Sequence, residues 1–300
     1  MNLQEKFTKY LTREGFVYSD LTLESFGDYT PRDAEWNYSD VPHLNYVHTK
    51  ANAESFAIED QFISSLVLQD FLFFKKIPIL VNNFHNKPDH HTYCFQLFFF
   101  FIIVETCYFR ENNKTFVRTR YRIFTKPLFK LLHYFVKLSL KKNYKILMSE
   151  DIPMREQKAK LRRKGYKFAT DEDYLIGYKQ TVNINIDNLI PPPDIKTGKT
   201  YTFNLSELEN SKAFRLSNGK NELILSVSDD KILVFPGYCP HEGAILEMSI
   251  PHCQTVTCPW HGRACKPLLI CDKHDAESSK SFQHKQFDLE IQGDRLILTL

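Results

Sequence analysis

Two short segments near the C-terminal end of the chain combine the residue types that bind metals. They are CPHEG at residues 239–243 and CPWHG at residues 258–262. Each offers one thiolate and one imidazole, in the order C-x-H, sixteen intervening residues, and C-x-x-H. Each also carries a proline and a glycine, and glycine lets the backbone approach a bound group closely. The pattern therefore predicts a metal centre between two loops, with the ligands Cys239, His241, Cys258 and His261.

Two kinds of centre use two Cys and two His as ligands. In a Rieske [2Fe–2S] centre, the two Cys bind one iron and the two His bind the other. A structural zinc site has the same ligand set, but zinc motifs usually pair Cys with Cys and His with His. Each loop here is mixed, which favours the [2Fe–2S] cluster, and zinc is the alternative. On this interpretation Cys239 and Cys258 hold the buried iron, and the His-bound iron is the natural exit for an electron.

The CPHEGA and CPWHGR segments resemble the Rieske domains of non-haem iron oxygenases and their ferredoxins. The respiratory-complex type carries two further Cys in these segments, which form a disulfide. Ala244 and Trp260 stand at those positions here, so that disulfide is absent. The resemblance extends over nearly all of residues 199–300 and implies a cluster at the lower end of the Rieske potential range.

A second motif, D-x-x-H-x-x-x-x-H, consists of Asp40, His43 and His48. A mononuclear Fe(II) that activates O₂ needs two His and one carboxylate on one face of the metal. His43 and His48 are about 140° apart on a regular α-helix, so a π-type bulge or a helix start must bring them together. Ser39 or Asp40 can cap such a helix, and its first turn tolerates Pro42. By spacing alone, two surface or packing histidines are an equal alternative.

Residues 37–48 resemble the mononuclear-iron motif of Rieske oxygenases, particularly the aromatic O-demethylase branch. The resemblance implies that His43 and His48 bind Fe(II). It also implies that Asp40 hydrogen-bonds a ligating His and bridges to a cluster His, usually of a neighbouring subunit. The third ligand in that family is an Asp on a long C-terminal helix. Residues 149–157 are similar to that segment, which makes Asp151 the candidate and Glu150 the fallback.

The order of elements predicts an α+β protein with two domains. We expect an N-terminal helix-grip (START-like) domain at residues 1–189, in which an antiparallel sheet closes over a long C-terminal helix. A Pro-rich linker at 190–198 precedes an all-β Rieske [2Fe–2S] domain at 199–300. This order is a departure from the resembling family, in which the Rieske domain comes first.

Within the first domain, the apolar run at residues 95–104 predicts one buried strand. Apolar residues at three- and four-residue steps predict a core-facing helix from Pro127 to about Lys164. The basic run at 155–167 predicts a solvated helix face rather than a docking site for an acidic redox partner. His85, His90 and His91 predict a solvated turn rather than a metal site.

Composition restricts the class of protein further. A hydrophobic content of 43% is ample for buried cores, and a net charge of +3 does not indicate nucleic-acid binding. The most apolar run is about half the length that a bilayer span requires. Seven Cys, two of them assigned to iron, fit a reducing compartment, so we expect a cytoplasmic protein without a membrane span.

The function predicted from these motifs is that of a Rieske-type oxygenase component. It would hydroxylate or oxidatively demethylate an apolar small molecule with O₂, using the [2Fe–2S] cluster, a mononuclear Fe(II), and a reductase or ferredoxin as electron donor. The resemblance implies a head-to-tail ring, hence a homotrimer or another cyclic oligomer. The alternative is a non-catalytic START-like ligand-binding protein with a Rieske domain for electron transfer or redox sensing. A third possibility is that the first domain only recruits a partner.

Overall fold

The computed structural model describes residues 3–59, 62–71, 74–87, 90–171, 185–208, 213–247, 255–273 and 280–300. The chain forms two compact units. The first comprises residues 1–160 with 170–184, and the second comprises residues 161–169 with 185–300. The predicted linker at 190–198 and the domain limits on either side of it stay a prediction.

The first unit is built on one large sheet and one long helix. Its helices are α1 (Leu3–Arg13), α2 (Pro31–Ser39) and α3 (His133–Arg163). Its strands are β1 (Val17–Gly27), β2 (Ala51–Glu59), β3 (Phe62–Phe71), β4 (Phe74–Lys87), β5 (His90–Leu97), β6 (Phe100–Glu111) and β7 (Lys114–Thr125). The strand order is β1-β7-β6-β5-β4-β3-β2, and neighbouring strands are antiparallel. Two 3₁₀ helices, Val41–Asn45 and Pro127–Leu132, complete the unit.

Helix α3 packs against the concave sheet through one apolar face. Leu140, Tyr144 and Met148 are buried in a single cluster with residues of the central strands, among them Ile102 and Ile123. A long antiparallel sheet that closes over a long C-terminal helix is the helix-grip arrangement. The α+β class is confirmed, because the second unit is built from β-strands.

The predicted single strand at residues 95–104 is wrong. Strand β5 ends at Leu97 and β6 begins at Phe100, with a turn at Phe98–Phe99 between them. Phe98 adopts a left-handed backbone conformation with φ of 52°, which residues of its type rarely do. No Gly or Asn marks this turn, so local sequence could not reveal it. The stack of Phe99 on Phe129, with ring centroids 4.2 Å apart, contributes to holding it.

The predicted helix start at Pro127 is also wrong, because residues 127–132 form a 3₁₀ helix and α3 begins at His133. The prediction of its end near Lys164 is confirmed, and α3 includes Pro153. The change of helix type alters which side chains face the core. Leu128 and Leu131, predicted as core residues, are 83% and 87% exposed. Among the described residues, no helix is long and apolar enough to span a membrane.

The solvated face predicted for residues 155–167 is wrong at two of its seven basic positions. The side chains of Arg155 and Lys158 are fully buried. The Nζ atom of Lys158 lies 3.8 Å from the centroid of the Trp36 ring, a cation–π contact. The Trp36 ring on α2 thus gives the buried Lys158 ammonium a favourable contact. Nothing in the local sequence of α3 indicates this partner.

The second unit consists of short strands and two main sheets. Its strands are β8 (Lys167–Phe168), β9 (Leu189–Ile190), β10 (Thr200–Asn204), β11 (Ala213–Ser217), β12 (Glu222–Ser228), β13 (Lys231–Pro236), β14 (Val256–Thr257), β15 (Ala264–Cys265), β16 (Leu269–Asp272), β17 (Lys280–His284), β18 (Phe287–Gln292) and β19 (Arg295–Thr299). The main sheets have the orders β10-β19-β18-β17 and β11-β12-β13-β16. Their facing residues form one core, which includes Leu225, Val234 and Leu298.

His90 and His91 lie on strand β5 rather than in a turn, because β4 extends to Lys87 and β5 begins at His90. His85 lies on β4. His90 Nε2 lies 3.2 Å from Glu105 Oε1, and His90 Nδ1 lies 3.2 Å from Cys107 Sγ. The bond with Cys107 and then the Glu105 carboxylate raise the pKa of His90 to about 9. The hydrogen bond with His90 in turn lowers the pKa of the Glu105 carboxyl.

We predict that this pair makes stability depend on pH above neutrality. A His whose pKa is raised on folding adds stability that is fully present below its unfolded pKa near 6.5. That stability is lost as the pH rises toward 9. At pH 6, urea unfolding should give wild type a free energy of unfolding about 1–2 kcal/mol higher than that of His90→Gln. At pH 10 this difference should disappear. Glu105→Gln should behave like His90→Gln, and an advantage that persists at pH 10 would contradict the assignment.

Candidate metal centres

The two Cys/His loops of the second unit have matching backbone conformations. In the first, the Gly243 N–H donates to the Cys239 carbonyl at 2.9 Å, and the Cys239 N–H donates to the Ala244 carbonyl. In the second, the Gly262 N–H donates to the Cys258 carbonyl at 2.9 Å, and the Cys258 N–H donates to the residue five positions on. Both glycines have positive φ, 80° and 63°, the left-handed region that favours glycine. The C-x-H and C-x-x-H segments therefore fold as two similar turns.

The four predicted ligands of these loops are buried, with at most 1% of any of them exposed. The Nδ1 atoms of His241 and His261 face each other at 3.3 Å. The Cys258 Sγ atom lies 3.9 Å from His261 Nδ1. Hydrogen bonds from the neighbouring Cys258 and Cys265 thiols lower the pKa of the Cys239 thiol, and the thiolate is the form that binds metal.

The two His and the two Cys form a donor set that a [2Fe–2S] cluster and a zinc site share. In a Rieske-type [2Fe–2S] cluster, the His pair binds one iron and the Cys pair binds the other. His241 and His261, which face each other at 3.3 Å, suit the first pair, and the neighbouring Cys239 and Cys258 thiols suit the second.

A third thiol lies beside the Cys ligands, which sequence reasoning did not assign. Cys265 is 3% exposed, and its Sγ atom lies 3.7 Å from Cys239 Sγ. Its S–H group can donate a weak hydrogen bond to the ligand sulfur. The only sequence signal was its position seven residues after Cys258, which matches no ligand pattern.

The first unit brings together three buried residues: His43 and His48, which are five residues apart, and Asp151, which is distant from both in sequence. The Nε2 atoms of the two His lie 3.0 Å apart. Asp151 Oδ1 lies 3.4 Å from His43 Nε2 and 3.1 Å from His48 Nε2. Within the described residues, this is the one group of three whose ligand atoms all lie within 4.8 Å.

The two His converge through a 3₁₀ helix that begins before His43, rather than through the predicted π-type bulge or helix start between them. Asp40 occupies the N-cap position of the 3₁₀ helix Val41–Asn45, as predicted for a helix, but its side chain makes no capping hydrogen bond. His43 lies within this 3₁₀ helix, and the N–H groups of Tyr46 and Val47 both donate to its carbonyl. The chain turns there, and His48 follows the turn.

Each imidazole is oriented through the ring nitrogen that faces away from the group. His43 Nδ1 is hydrogen-bonded to the Asp40 carbonyl oxygen, and the buried Asp40 carboxylate lies 4.0 Å from the same nitrogen. His48 Nδ1 lies 2.7 Å from Glu150 Oε2. Glu150, the fallback ligand, thus contacts the outer nitrogen of His48. Such partners fix the tautomer and the ring orientation of a metal-binding His.

The Asp151 carboxylate is held by two further polar residues. Asn37 Nδ2 donates to Asp151 Oδ1 at 3.3 Å, and Arg155 Nη2 donates to Asp151 Oδ2 at 3.3 Å. Arg155 also donates twice to Asn37 Oδ1, at 2.9 and 2.7 Å. Sequence reasoning assigned no role to Arg155; its spacing of four residues from Asp151 on α3 was the available signal.

Electrostatics keep Asp151 ionised despite its burial. Burial alone would raise the pKa of this carboxyl, but hydrogen bonds from His43 and His48 and the charge of Arg155 hold it well below its usual value. Burial would likewise lower the pKa of His48, and the Asp151 and Glu150 carboxylates raise it instead. Two imidazoles and an ionised carboxylate make a donor set that suits a divalent metal ion.

The three residues contribute to the wall of a cavity of about 190 Å³. The cavity lies between the sheet and α3, and most of its lining is apolar, including Val67, Ile79 and Leu140. Tyr93, Tyr121 and other tyrosines also line it. Burial raises the pKa of both of these phenols, so they are neutral. The described lining contains no Lys or Arg.

Comparison with known protein families identifies one domain. Residues 199–281 match the Rieske [2Fe–2S] domain family. The chain therefore carries a Rieske domain, which supports a [2Fe–2S] cluster at the paired loops and a role in electron transfer. None of the curated proteins compared with the chain shows significant sequence similarity to it.

Solved structures similar to this chain include START-type and aromatase/cyclase proteins. The di-domain ARO/CYC BexL from the BE-7585A biosynthetic pathway has 9% identity and a TM-score of 0.42, over 51% of this chain and 54% of BexL. The Zhui aromatase/cyclase from Streptomyces sp. R1128 has 10% identity and a TM-score of 0.39, over 47% and 94%. A START superfamily protein from Mycobacterium smegmatis has 10% identity and a TM-score of 0.34, over 46% and 97%.

The chain thus spans about half the length of BexL. With TM-scores below 0.5, these likenesses establish neither an activity nor a ligand for this chain. The helix-grip fold of the first unit rests on its own strand order and on α3.

Proposed function

We propose that this chain is the oxygenase component of a Rieske-type non-haem iron system. In this proposal it hydroxylates or oxidatively demethylates an apolar small molecule with O₂. One observation carries the proposal: two buried His and one buried Asp converge at the wall of an apolar cavity in a chain that also contains a Rieske domain.

In this proposal His43, His48 and Asp151 hold a mononuclear Fe(II), and Cys239, His241, Cys258 and His261 hold the [2Fe–2S] cluster. When bound, the Fe(II) supplies O₂ activation and the cluster supplies electrons. Two His and one carboxylate would hold the metal from one side, and the cavity that they line would give O₂ and substrate access to it.

The surrounding residues have positioning roles in the proposal. Glu150 orients His48 through Nδ1, and the Asp40 carbonyl does the same for His43. Asn37 and Arg155 each donate to a different oxygen of Asp151, which limits rotation of the carboxylate. The predicted role of Asp40 as a bridge to a cluster His is retained as part of the proposal.

The cavity supports a compact and uncharged substrate. A dry cavity of about 150 Å³ accommodates benzene, so 190 Å³ suits a single substituted ring or a molecule of similar size. A carboxylate or phosphate would enter without a described Lys or Arg to pair with it, and burial of an unpaired charge is costly. Neutral tyrosine hydroxyls can orient a polar substituent of the substrate.

The remaining parts of the proposal concern partners and location. A reductase or ferredoxin donates electrons to the cluster, the protein acts in the cytoplasm, and three copies assemble into a homotrimer. The domain limits of 1–189, 190–198 and 199–300 belong to the same proposal.

A second candidate function is that of a ligand-binding protein with a redox-active Rieske domain. One observation favours it: Asp151 is already bonded to Arg155, Asn37 and both His, so the polar group is satisfied without a metal. In that case the cavity binds a ligand, and the first unit contains no iron.

Metal and sulfide content distinguish the two candidates. We expect about three irons and two acid-labile sulfides per chain after anaerobic purification and addition of Fe(II). His43→Ala/His48→Ala should retain two irons and two sulfides and lose substrate-dependent O₂ consumption. The control variant His284→Ala, on β17, should retain all three irons. Two irons in wild type after Fe(II) addition would favour the ligand-binding protein, and zinc without sulfide would overturn the Rieske interpretation.

A further inference from the structure

An exposed apolar patch lies where the 3₁₀ helix Pro127–Leu132 leads into α3. Its members are Phe98, Phe99, Leu128, Leu131, Leu132 and Phe135, all of them exposed. Leu128 and Leu131 retain 83% and 87% of their accessible surface, which makes them the most exposed large apolar side chains of the described residues. None of the six residues of the 3₁₀ helix Pro127–Leu132 is buried.

The patch is continuous because two separate segments of the chain meet in it. Phe99, in the turn between β5 and β6, stacks on Phe129 of the 3₁₀ helix at a centroid distance of 4.2 Å. Phe98, its neighbour in that turn, extends the patch to Phe74 at the start of β4, at 5.6 Å. Soluble monomers rarely expose contiguous apolar surface of this kind, and where they do it usually marks an interaction site.

Along the segment that carries most of the patch, the charges have one sign. Between Glu111 and Glu150 the sequence contains no acidic residue. The 3₁₀ helix and the first half of α3, with the residue before them, contain six lysines and no arginine: Lys126, Lys130, Lys137, Lys141, Lys142 and Lys145. All are exposed except Lys137, which is half-buried. Exposed apolar side chains with neighbouring lysines are typical of segments that lie in a membrane interface.

We propose that this patch attaches the protein peripherally to anionic lipid bilayers. The leucines and phenylalanines enter the boundary between headgroups and acyl chains, and the lysines contact acidic headgroups. The composition favours lipid over an acidic protein partner, because protein interfaces are enriched in Arg, Tyr and Trp and depleted in Lys. Leu97, which lines the cavity, directly precedes Phe98, so a bound bilayer would adjoin a segment of the cavity wall.

Vesicle flotation of the full-length chain tests this proposal. The probes are vesicles of phosphatidylcholine alone and vesicles in which phosphatidylserine replaces part of it. We expect binding to the phosphatidylserine vesicles at least tenfold tighter than to phosphatidylcholine. Raising NaCl from about 0.1 to about 0.5 M should weaken binding severalfold, because salt screens exposed charges.

Two leucine pairs provide matched variants. Leu128→Ser/Leu131→Ser should weaken vesicle binding at least tenfold, and its melting temperature should remain that of wild type because both side chains are exposed. Leu66→Ser/Leu80→Ser removes two exposed leucines that face each other on β3 and β4, and it should bind vesicles like wild type.

Three results would overturn the proposal. The first is failure of wild type to float with either vesicle. The second is equal binding by wild type and Leu128→Ser/Leu131→Ser. The third is a wild-type oligomer that this variant converts to a smaller species while vesicles bind neither protein, which would make the patch an interface between copies of the chain.

Discussion

Arg155→Met is expected to lower the free energy of unfolding of the first unit by about 3–5 kcal/mol in protein without the mononuclear metal. Arg155 is fully buried and pairs with Asp151, which is itself 6% exposed. Its removal leaves an ionised carboxylate and the Asn37 carbonyl oxygen without their charged donor. A buried charge that loses its partner costs far more than an exposed one.

The same substitution should strengthen metal binding. In wild type, Arg155 and a metal ion both compete for the negative charge of Asp151. Without the arginine, a divalent cation supplies the missing positive charge, so its binding restores part of the lost stability. Thermal unfolding with and without Co²⁺ should therefore show a larger metal-induced rise in melting temperature for Arg155→Met than for wild type.

Arg118→Met is the matched control for this experiment. Arg118 pairs with Glu24 at 2.6 Å, but both side chains are about half exposed. Exposed ion pairs contribute about 0–1 kcal/mol, so this variant should unfold nearly as wild type does. Equal destabilisation by the two substitutions would show that burial of the Arg155–Asp151 pair has no special energetic weight. If Co²⁺ raised the melting temperature of Arg155→Met by no more than that of wild type, the result would contradict a metal site at Asp151.

Cys258→Ser is expected to abolish the iron–sulfur cluster. The protein should lose two irons and both sulfides per chain, together with the visible absorbance of the cluster, because serine replaces a thiolate ligand. Binding of a metal centre contributes to folding free energy, so the second unit should also unfold at a lower temperature. Iron, sulfide and absorbance measured on anaerobically purified protein provide the readout.

Two other thiols of the second unit test whether this effect is specific. Cys271 is buried in the apolar core of the unit, and Cys271→Ala should retain the cluster. Cys265→Ala should retain it as well, because the four predicted ligands remain, although it removes a thiol 3.7 Å from Cys239 Sγ. Full iron and sulfide content in Cys258→Ser would contradict the ligand assignment. Loss of the cluster in Cys265→Ala would make the third thiol part of the centre.

The sequence by itself determined the cluster motif, and the reason is local. Each pair of ligands lies within four consecutive residues, and the following glycine provides the positive φ that closes each turn. Strands of the second unit such as β18 were predictable as well, because alternation of buried and less buried residues identifies a strand without knowledge of its partners. The α+β class followed from the order of such segments.

Tertiary structure alone decided the arrangement of the first unit's polar site. His43, His48 and Asp151 converge only because a 3₁₀ turn and α3 meet beneath the sheet. Arg155 looked like one member of a solvated basic run, yet it is buried because Asn37 of α2 and Asp151, one turn earlier on α3, supply its partners. Local sequence carries no information about partners more than a hundred residues away.

The apolar residues before α3 show the opposite error, for the same reason. Leu128 and Leu131 fit the three- and four-residue period of a buried helix face, so periodicity assigned them to the core. In the fold, residues 127–132 wind as a 3₁₀ helix that leaves Leu128 and Leu131 exposed, and the apolar core shared with the sheet takes its first α3 residue at Val136. A period shows which side chains share a face, whereas the packing of the whole chain decides what that face contacts.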